Sequence, residues 1–171
     1  GQVVAVEALV RWQHPQHGLI QPSDFIPVAE ACGLILPLGN WVLLAACRQA
    51  KAWLDTGLEL GEIAVNISAL QFNQPEFAQS VHAVLLETGL PAERLELEIT
   101  ESTVMHSADS SIKVLAELNK MGIKLAIDDF GTGYSSLAYL RRFSVDRLKI
   151  DRSFVADVES DADAASLVAS I

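Results

Sequence analysis

Three deficits limit what this chain can be. Cysteine is nearly absent, with Cys32 and Cys47 alone among 171 residues, so we expect no disulfide framework and a reduced, cytosolic compartment. Basic residues are outnumbered, 12 Lys and Arg against 22 Asp and Glu, a formal net charge of −10. Binding of duplex nucleic acid needs a basic stripe and is not expected. Pro37, Gly39 and Arg48 interrupt the apolar runs before the ~18–20 residues that cross a membrane, so insertion into a membrane is not expected either.

Common catalytic signatures are also missing. No basic-then-apolar leader is visible at the N-terminus, so no secretory signal is expected. The four histidines show no i, i+4 or H-x-H spacing, which argues against a histidine metal site. The motifs G-x-S-x-G, Walker A and G-x-G-x-x-G do not occur, so a nucleophile elbow, a P-loop and a dinucleotide fold are not expected.

What the sequence does have is apolar content, at 50% of residues. This is enough burial to offset the entropy of ordering the chain. The length predicts one domain over residues 1–171.

Strand-like and helix-like segments alternate along the chain. Such repeating units, without long polar linkers, predict a parallel sheet covered by helices. Ser23 is a plausible N-cap of the first helix, and glycines end two of the others. The predicted strands are Gln2–Trp12, Glu62–Ser68, Arg94–Thr100, Ile123–Asp129 and Arg147–Asp151; the predicted helices are Asp24–Cys32, Gly39–Thr56, Gln74–Thr88, Ser107–Met121, Tyr134–Arg141 and Ser153 onward.

The strands carry polar residues in a regular place. Alternate side chains of a strand face opposite sides, and in each strand one face is apolar while the other holds a polar group. An open doubly wound sheet is covered on both faces and should be apolar on both. The pattern therefore favours a closed (β/α) barrel with a polar mouth at the strand ends. The five polar positions are Glu7, Asn66, Glu98, Asp128 and Lys149.

Carboxylates that converge in this way repel one another unless a cation lies among them. Oxygen ligands favour Mg²⁺, Mn²⁺ or Ca²⁺ over zinc, and the pair Asp128-Asp129 could bridge to a second metal for phosphoester hydrolysis. The alternative is that salt bridges join Glu98 to Lys149 and Asp128 to Arg147. The glycine-containing segment after Asp129 is either an active-site lid or an ordinary loop.

Six segments resemble motifs of the EAL domain family, in the same order along nearly the whole chain. Glu7-Ala8-Leu9 resembles the motif that gives the family its name. Arg11, in the same segment, could hold a phosphate or form a salt bridge. The six segments are Val6–Trp12, Asp24–Glu30, Val65–Ser68, Leu97–Ser102, Asp128–Leu137 and Leu148–Phe154.

The resemblance implies a TIM-type (β/α) barrel that hydrolyses cyclic di-GMP to linear pGpG in bacterial signalling, with Mg²⁺ or Mn²⁺ in a two-metal site. It also implies a homodimer near the Asp129–Ser136 loop. The alternative is an inactive cyclic di-GMP receptor or a dimerisation module. The implied roles are metal ligands for Glu7, Asn66, Glu98, Asp128 and Asp129; catalysis for Lys149 and, through the loop, Glu101; and substrate binding for Arg11, Leu9 and Asp151.

The family pattern extends beyond both ends of this sequence. A barrel of this type needs about 200 residues or more, so 171 residues with about five strands indicate a partial domain. The second metal would then depend partly on residues that this chain lacks. We expect the piece alone to bind one metal and to hydrolyse poorly, and the parent to be cytoplasmic, either free or as the cytoplasmic part of a membrane-tethered sensor.

Overall fold

Five parallel strands form the central sheet, in the order β1-β4-β5-β6-β7. The computed structural model describes residues 3–131 and 142–156, and for residues 154 and 155 the backbone alone. Every neighbouring pair in this sheet is parallel, as the alternating pattern predicts. The strands are β1 Ala5–Ala8, β4 Glu62–Ile67, β5 Leu95–Thr100, β6 Lys124–Phe130 and β7 Arg147–Ile150, and a separate antiparallel hairpin is formed by β2 Trp12–His14 and β3 Gly18–Ile20.

Helices connect the strands and cover one face of the sheet. The predicted helix Tyr134–Arg141 lies outside the described residues, as does the continuation of the last helix beyond residue 156. None of the helices in the described part of the chain has the length and apolarity needed to cross a membrane. The helices are α1 Pro22–Ala31, α2 Ile35–Asp55, α3 Ala69–Phe72, α4 Phe77–Thr88, α5 Glu101–His106, α6 Ala108–Lys120 and α7 Arg152–Ala156, with a 3₁₀ turn at Ala92–Arg94.

The first strand is shorter than predicted. It ends at Ala8, and Trp12 belongs instead to the hairpin β2–β3. Gly18, at φ 70°, takes the left-handed conformation where β3 begins. Strands of three residues are too short for an alternating pattern to predict.

Several helix starts also differ from the prediction; α4, for example, begins at Phe77 rather than Gln74. The N-cap of α1 is Gln21 rather than Ser23, because Pro22 occupies the first helical turn. Helix α2 begins at Ile35 rather than Gly39. It includes Pro37 in its first turn, where the missing N–H has no helical partner in any case.

Two short helices were not predicted. Ser68 is not the end of a strand but the N-cap of α3, and its hydroxyl accepts a hydrogen bond from the backbone N–H of Gln71 at 3.2 Å. Helix α5 begins directly at Glu101 after β5. Helices of four to six residues have too few turns to show an apolar stripe.

One contiguous apolar core lies between the sheet and the helices. The outward-facing residues of the strands pack against α2, α4 and α6, as the alternating pattern predicts. Burial raises the pKa of the Cys47 thiol to about 12, so it acts as a packing residue. Both cysteines are free thiols, which confirms that they form no disulfide. The strand residues in this core include Ile63, Val65, Ile67, Leu95, Leu97, Ile99, Leu125 and Ile127.

Gly61 fixes the approach of β1 to β4. A Cβ atom on Gly61 would lie 1.5 Å from the carbonyl oxygen of Val4, and this same oxygen accepts the backbone hydrogen bond of Glu62 at 3.1 Å. The carbonyl of Gly61 accepts a bond from Arg94 at 3.2 Å. A side chain at this position would therefore push β1 away from its only described neighbouring strand.

We expect Gly61→Ala to lower the free energy of unfolding by about 2–3 kcal/mol, since overpacking against backbone cannot relax by a rotamer change. Urea unfolding followed by far-UV circular dichroism measures this loss. Gly89→Ala is the matched control, because its φ of 70° gives backbone strain without a clash; about 1 kcal/mol is expected there. Equal losses in the two variants would contradict the role of the close approach.

Candidate functional site

Polar side chains from neighbouring strands meet on the face of the sheet that the helices leave uncovered. The parallel register sets Asn66 beside Glu98 and Thr100 beside Asp128. The side-chain amide of Asn66 donates a hydrogen bond to Oε1 of Glu7 at 2.7 Å. We call the set Glu7, Asn66, Glu98 and Asp128 the site cluster.

Lys149 on β7 reaches into the site cluster. Its Nζ lies 2.7 Å from Oε2 of Glu98 and 3.7 Å from Oδ2 of Asp128. Glu98 is 4% exposed, and within the described residues its Oε2 is buried without a well-directed hydrogen bond. The contact is thus an ion pair by distance, and the predicted pairing of Glu98 with Lys149 is confirmed.

The site cluster has more negative than positive charge. Burial raises the pKa of Glu98; Lys149 opposes this rise, while Glu7 and Asp128 add to it. Burial lowers the pKa of Lys149, but Glu98, Asp128 and Glu7 together outweigh that effect and raise it. Burial is thus the main cause of the raised pKa of Glu98, whereas the three facing carboxylates are the cause of the raised pKa of Lys149.

Arg147 does not pair with Asp128, so that part of the salt-bridge alternative is wrong. Arg147 Nη1 donates to both oxygens of Glu96, at 2.7 and 2.5 Å, and Nη2 donates to Glu62 at 3.1 Å. These groups lie nearer the amino ends of the strands, because Arg147 precedes Lys149 by two residues on the same face. We call Glu62, Glu96 and Arg147 the lower ion network.

Asp129 follows the site cluster in an unusual conformation. Its φ of 53° is positive, which aspartate tolerates better than most residues, and the register between β6 and β7 shifts at this point. Burial, Asp128 and Asp151 all raise the pKa of Asp129. Asp151 accepts hydrogen bonds from the backbone N–H and the hydroxyl of Ser153, which lower its pKa and mark it as the N-terminal cap of α7.

Glu101 is buried, at 1% exposure. Its Oε2 accepts a hydrogen bond from the backbone N–H of Gly131 at 2.8 Å. This bond fixes the beginning of the glycine-containing segment to helix α5. The rest of the predicted Asp129–Ser136 loop, from Thr132 onward, lies outside the described residues.

Leu9 and Arg11 lie on the segment after β1 and are exposed. In the described part of the chain Arg11 pairs with no carboxylate, and its Nη1 donates to the Val10 carbonyl at 2.8 Å. Leu9 lines a cavity of about 250 Å³ next to the site cluster. The polar lining of this cavity includes Ser68, Gln71 and Thr100. None of the three was assigned a site role from the sequence, although Ser68 directly follows β4 and Thr100 ends β5, where sites of such barrels lie.

A separate cavity of about 670 Å³ is apolar, and no member of the site cluster lines it. The exposed rings of Trp12 and Trp41 line it, although aromatic side chains of this size are highly buried on average. Trp53 does pack against the core. Of the site cluster, Asn66 lines the smaller cavity.

No group of three or more His, Cys, Asp or Glu side chains in residues 3–131 and 142–156 is arranged as a set of metal ligands. The donor chemistry nevertheless fits a hard divalent cation, with carboxylate and amide oxygens on four neighbouring strands. The buried Oε2 of Glu98 and the excess negative charge also fit it. The metal ligands therefore remain a prediction.

Comparison with known proteins places these features in a family. The family model described as "EAL domain" matches residues 1–171. The bifunctional diguanylate cyclase/cyclic di-GMP phosphodiesterase MucR of Pseudomonas aeruginosa is 52% identical over all 171 residues, and cyclic di-GMP phosphodiesterase PdeR of Escherichia coli K12 is 43% identical over 171. The chain spans about a quarter of each relative's length, 25% and 26%.

A solved structure of the PaMucR phosphodiesterase in complex with c-di-GMP superposes on this chain with a TM-score of 0.95 at 51% identity. The match covers 100% of this chain and 69% of that one. The predicted α/β fold, an incomplete TIM-type barrel of the EAL kind, is confirmed.

The raised pKa of Glu98 predicts a pH dependence of stability. Between the ordinary glutamate pKa, 4.5, and the raised folded value, the folded state holds more protons than the unfolded state. The contribution of Glu98 to the free energy of unfolding should therefore fall as the pH rises between these two pKa values, by at most ~1.4 kcal/mol per pH unit. Urea unfolding in EDTA from pH 4 to 8 should show a shallower fall for Glu98→Gln.

Glu117→Gln is the matched control, because Glu117 is exposed on α6. We expect its stability profile to match that of the unaltered chain. If the stability profile of Glu98→Gln also matches that of the unaltered chain, then Glu98 has the same pKa in the folded and the unfolded state.

Proposed function

This chain belongs to the EAL domain family, and on that basis we propose that residues 1–171 belong to a domain that hydrolyses cyclic di-GMP to linear pGpG with a divalent metal ion. One observation carries the proposal beyond the likeness itself. Three carboxylates and an amide from four neighbouring strands share one end of the sheet, and among the described residues one ammonium lies beside two of these carboxylates. The phosphodiesterase names of MucR and PdeR support the same activity.

The site cluster is the proposed metal site. Glu7, Asn66, Glu98 and Asp128 supply its oxygen ligands, and Asp129 extends it towards a second ion. A bound Mg²⁺ or Mn²⁺ supplies Lewis-acid polarisation of the phosphodiester and lowers the pKa of water. Four adjacent strands hold these ligands, so the backbone register fixes their spacing.

The remaining residues bind and orient the substrate. Lys149 lies beside Glu98 and Asp128, where its ammonium can stabilise an anionic phosphate and the attacking water. Arg11, free of carboxylate partners in the described chain, is available to a substrate phosphate. Leu9 lines the adjacent cavity and can contact a base. Asp151 contributes by capping α7 next to Asp129.

Glu101 is a positioning residue. By holding the N–H of Gly131 it sets the start of the loop that we propose takes part in a homodimer. We further propose that the protein acts in the cytoplasm, which the two free thiols support.

We expect Glu7→Ala to reduce Mg²⁺-dependent release of pGpG at least about a hundredfold, since even the residues that orient metal ligands affect activity by 10–100-fold. The measurement is chromatography of nucleotide products from the full-length protein. Glu93→Ala, an exposed change on the 3₁₀ turn at the other end of β5, should retain full activity.

Calorimetry with cyclic di-GMP separates the enzyme from the receptor alternative. Tight binding with no pGpG released in Mg²⁺ or Mn²⁺ would refute the proposed hydrolysis and favour a receptor. Normal turnover by Glu7→Ala would refute the proposed metal site.

Glu101→Gln keeps the size of the side chain but weakens its acceptor. We expect kcat for cyclic di-GMP to fall about tenfold, since hydrogen bonds of charged groups are worth ~1.5–3 kcal/mol, while KM changes little. Steady-state kinetics give both constants, and sedimentation velocity shows whether dimer formation weakens too. An equal rise of KM without loss of kcat would contradict the positioning role.

A further inference from the structure

Lys149 and Arg147 lie on the same strand and the same face, yet they hold their carboxylates differently. Arg147 donates three directed hydrogen bonds to Glu96 and Glu62. Lys149 makes an ion contact of 2.7 Å with Glu98 and a longer contact of 3.7 Å with Asp128. A guanidinium fork fixes its partners, whereas an ammonium on a flexible stem is a point charge that can move.

We propose that Lys149 is an exchangeable counter-ion, which neutralises Glu98 and Asp128 while no metal is bound and which a divalent metal ion displaces from them. The inference rests on the proposed function for the existence of the metal site. It adds a resting state in which the protein supplies its own cation. In this resting state the strands that carry the site cluster stay folded although no metal is bound.

The burial of Glu98 makes such a counter-ion necessary. Glu98 is 4% exposed and faces Glu7 and Asp128, and an unpaired buried carboxylate destabilises a fold strongly. In the described chain Lys149 is the cation within 4 Å of this carboxylate. The lower ion network cannot serve, because Arg147 is bonded to Glu62 and Glu96.

The geometry also allows the exchange. The side chain of Lys149 is 31% exposed, so its ammonium can swing towards solvent without unfolding the strand. With the ammonium alone, three carboxylates retain an excess of two negative charges. A divalent ion compensates more of this charge, and the displaced ammonium becomes free for an anionic substrate.

The test is Mn²⁺ affinity of the full-length protein, measured by titration calorimetry for the unaltered chain and Lys149→Met. If the ammonium competes with the metal, its removal should tighten Mn²⁺ binding about tenfold, the value of one partly buried charged contact. In EDTA the variant should melt at lower temperature than the unaltered chain. Saturating Mn²⁺ should remove most of that difference.

Lys124→Met is the matched control, because Lys124 makes a 2.9 Å pair with Asp146 outside the site cluster. Its Mn²⁺ affinity should be unchanged, and its melting temperature should shift equally with and without Mn²⁺. Equal or weaker Mn²⁺ binding by Lys149→Met would overturn the proposal.

A second measurement tests the proposal even if the Lys149→Met variant does not fold. In the unaltered protein, ¹H–¹⁵N spectra of lysine ammonium groups should show Lys149 protected from solvent in EDTA and released by Mg²⁺. A signal that Mg²⁺ leaves unchanged would overturn the exchange. If a metal ion displaces Lys149 but the protein does not hydrolyse cyclic di-GMP, the proposed function is refuted and this inference is not. If the protein hydrolyses cyclic di-GMP but the metal ion does not displace Lys149, this inference is refuted and the proposed function is not.

Discussion

Glu96 and Glu98 are both buried on the uncovered face of a parallel sheet, and each of them requires a cation. Both cations come from β7, where Arg147 and Lys149 are two residues apart and so face the same side. The ion pairs of Arg147 and Lys149 therefore help to hold β7 beside β6, in addition to the backbone hydrogen bonds between the two strands. The other features of the site depend on this arrangement, since without β7 two buried carboxylates would have no described partner.

The helices allow the sheet to carry charged residues on one face. They bury the apolar faces of β4, β5 and β6 in one core, with Val6 and Ala8 of β1 packed against it, so the opposite face is free to carry polar groups. Short βα connections then begin directly at the strand ends. Glu101 shows the result, because it starts α5 immediately after β5 and holds Gly131 after β6.

Period-two patterning predicted which strand residues share a face, because alternation follows from backbone geometry alone. It therefore located Glu7, Asn66, Glu98, Asp128 and Lys149 together. It could not tell how far along the strands each residue lies relative to its neighbours. For that reason the partner of Arg147 was assigned wrongly, since its guanidinium bonds Glu96 rather than Asp128.

Other errors arose where local chemistry overrides periodicity. The strands of the hairpin β2–β3 and the helices α3 and α5 are too short to show a hydrophobic period in the sequence. The positive φ of Asp129 belongs to the register shift beside β7, and a sequence does not display such a shift.

The separation of the two charged groups along the sheet has a consequence for mutation. The lower ion network pairs its charges within the protein, and the apolar core lies on the other side of the strands. Neither depends on Glu7 or Asn66, which are exposed near the mouth. Substitutions at these two positions would therefore remove proposed metal ligands and leave the architecture of the sheet in place.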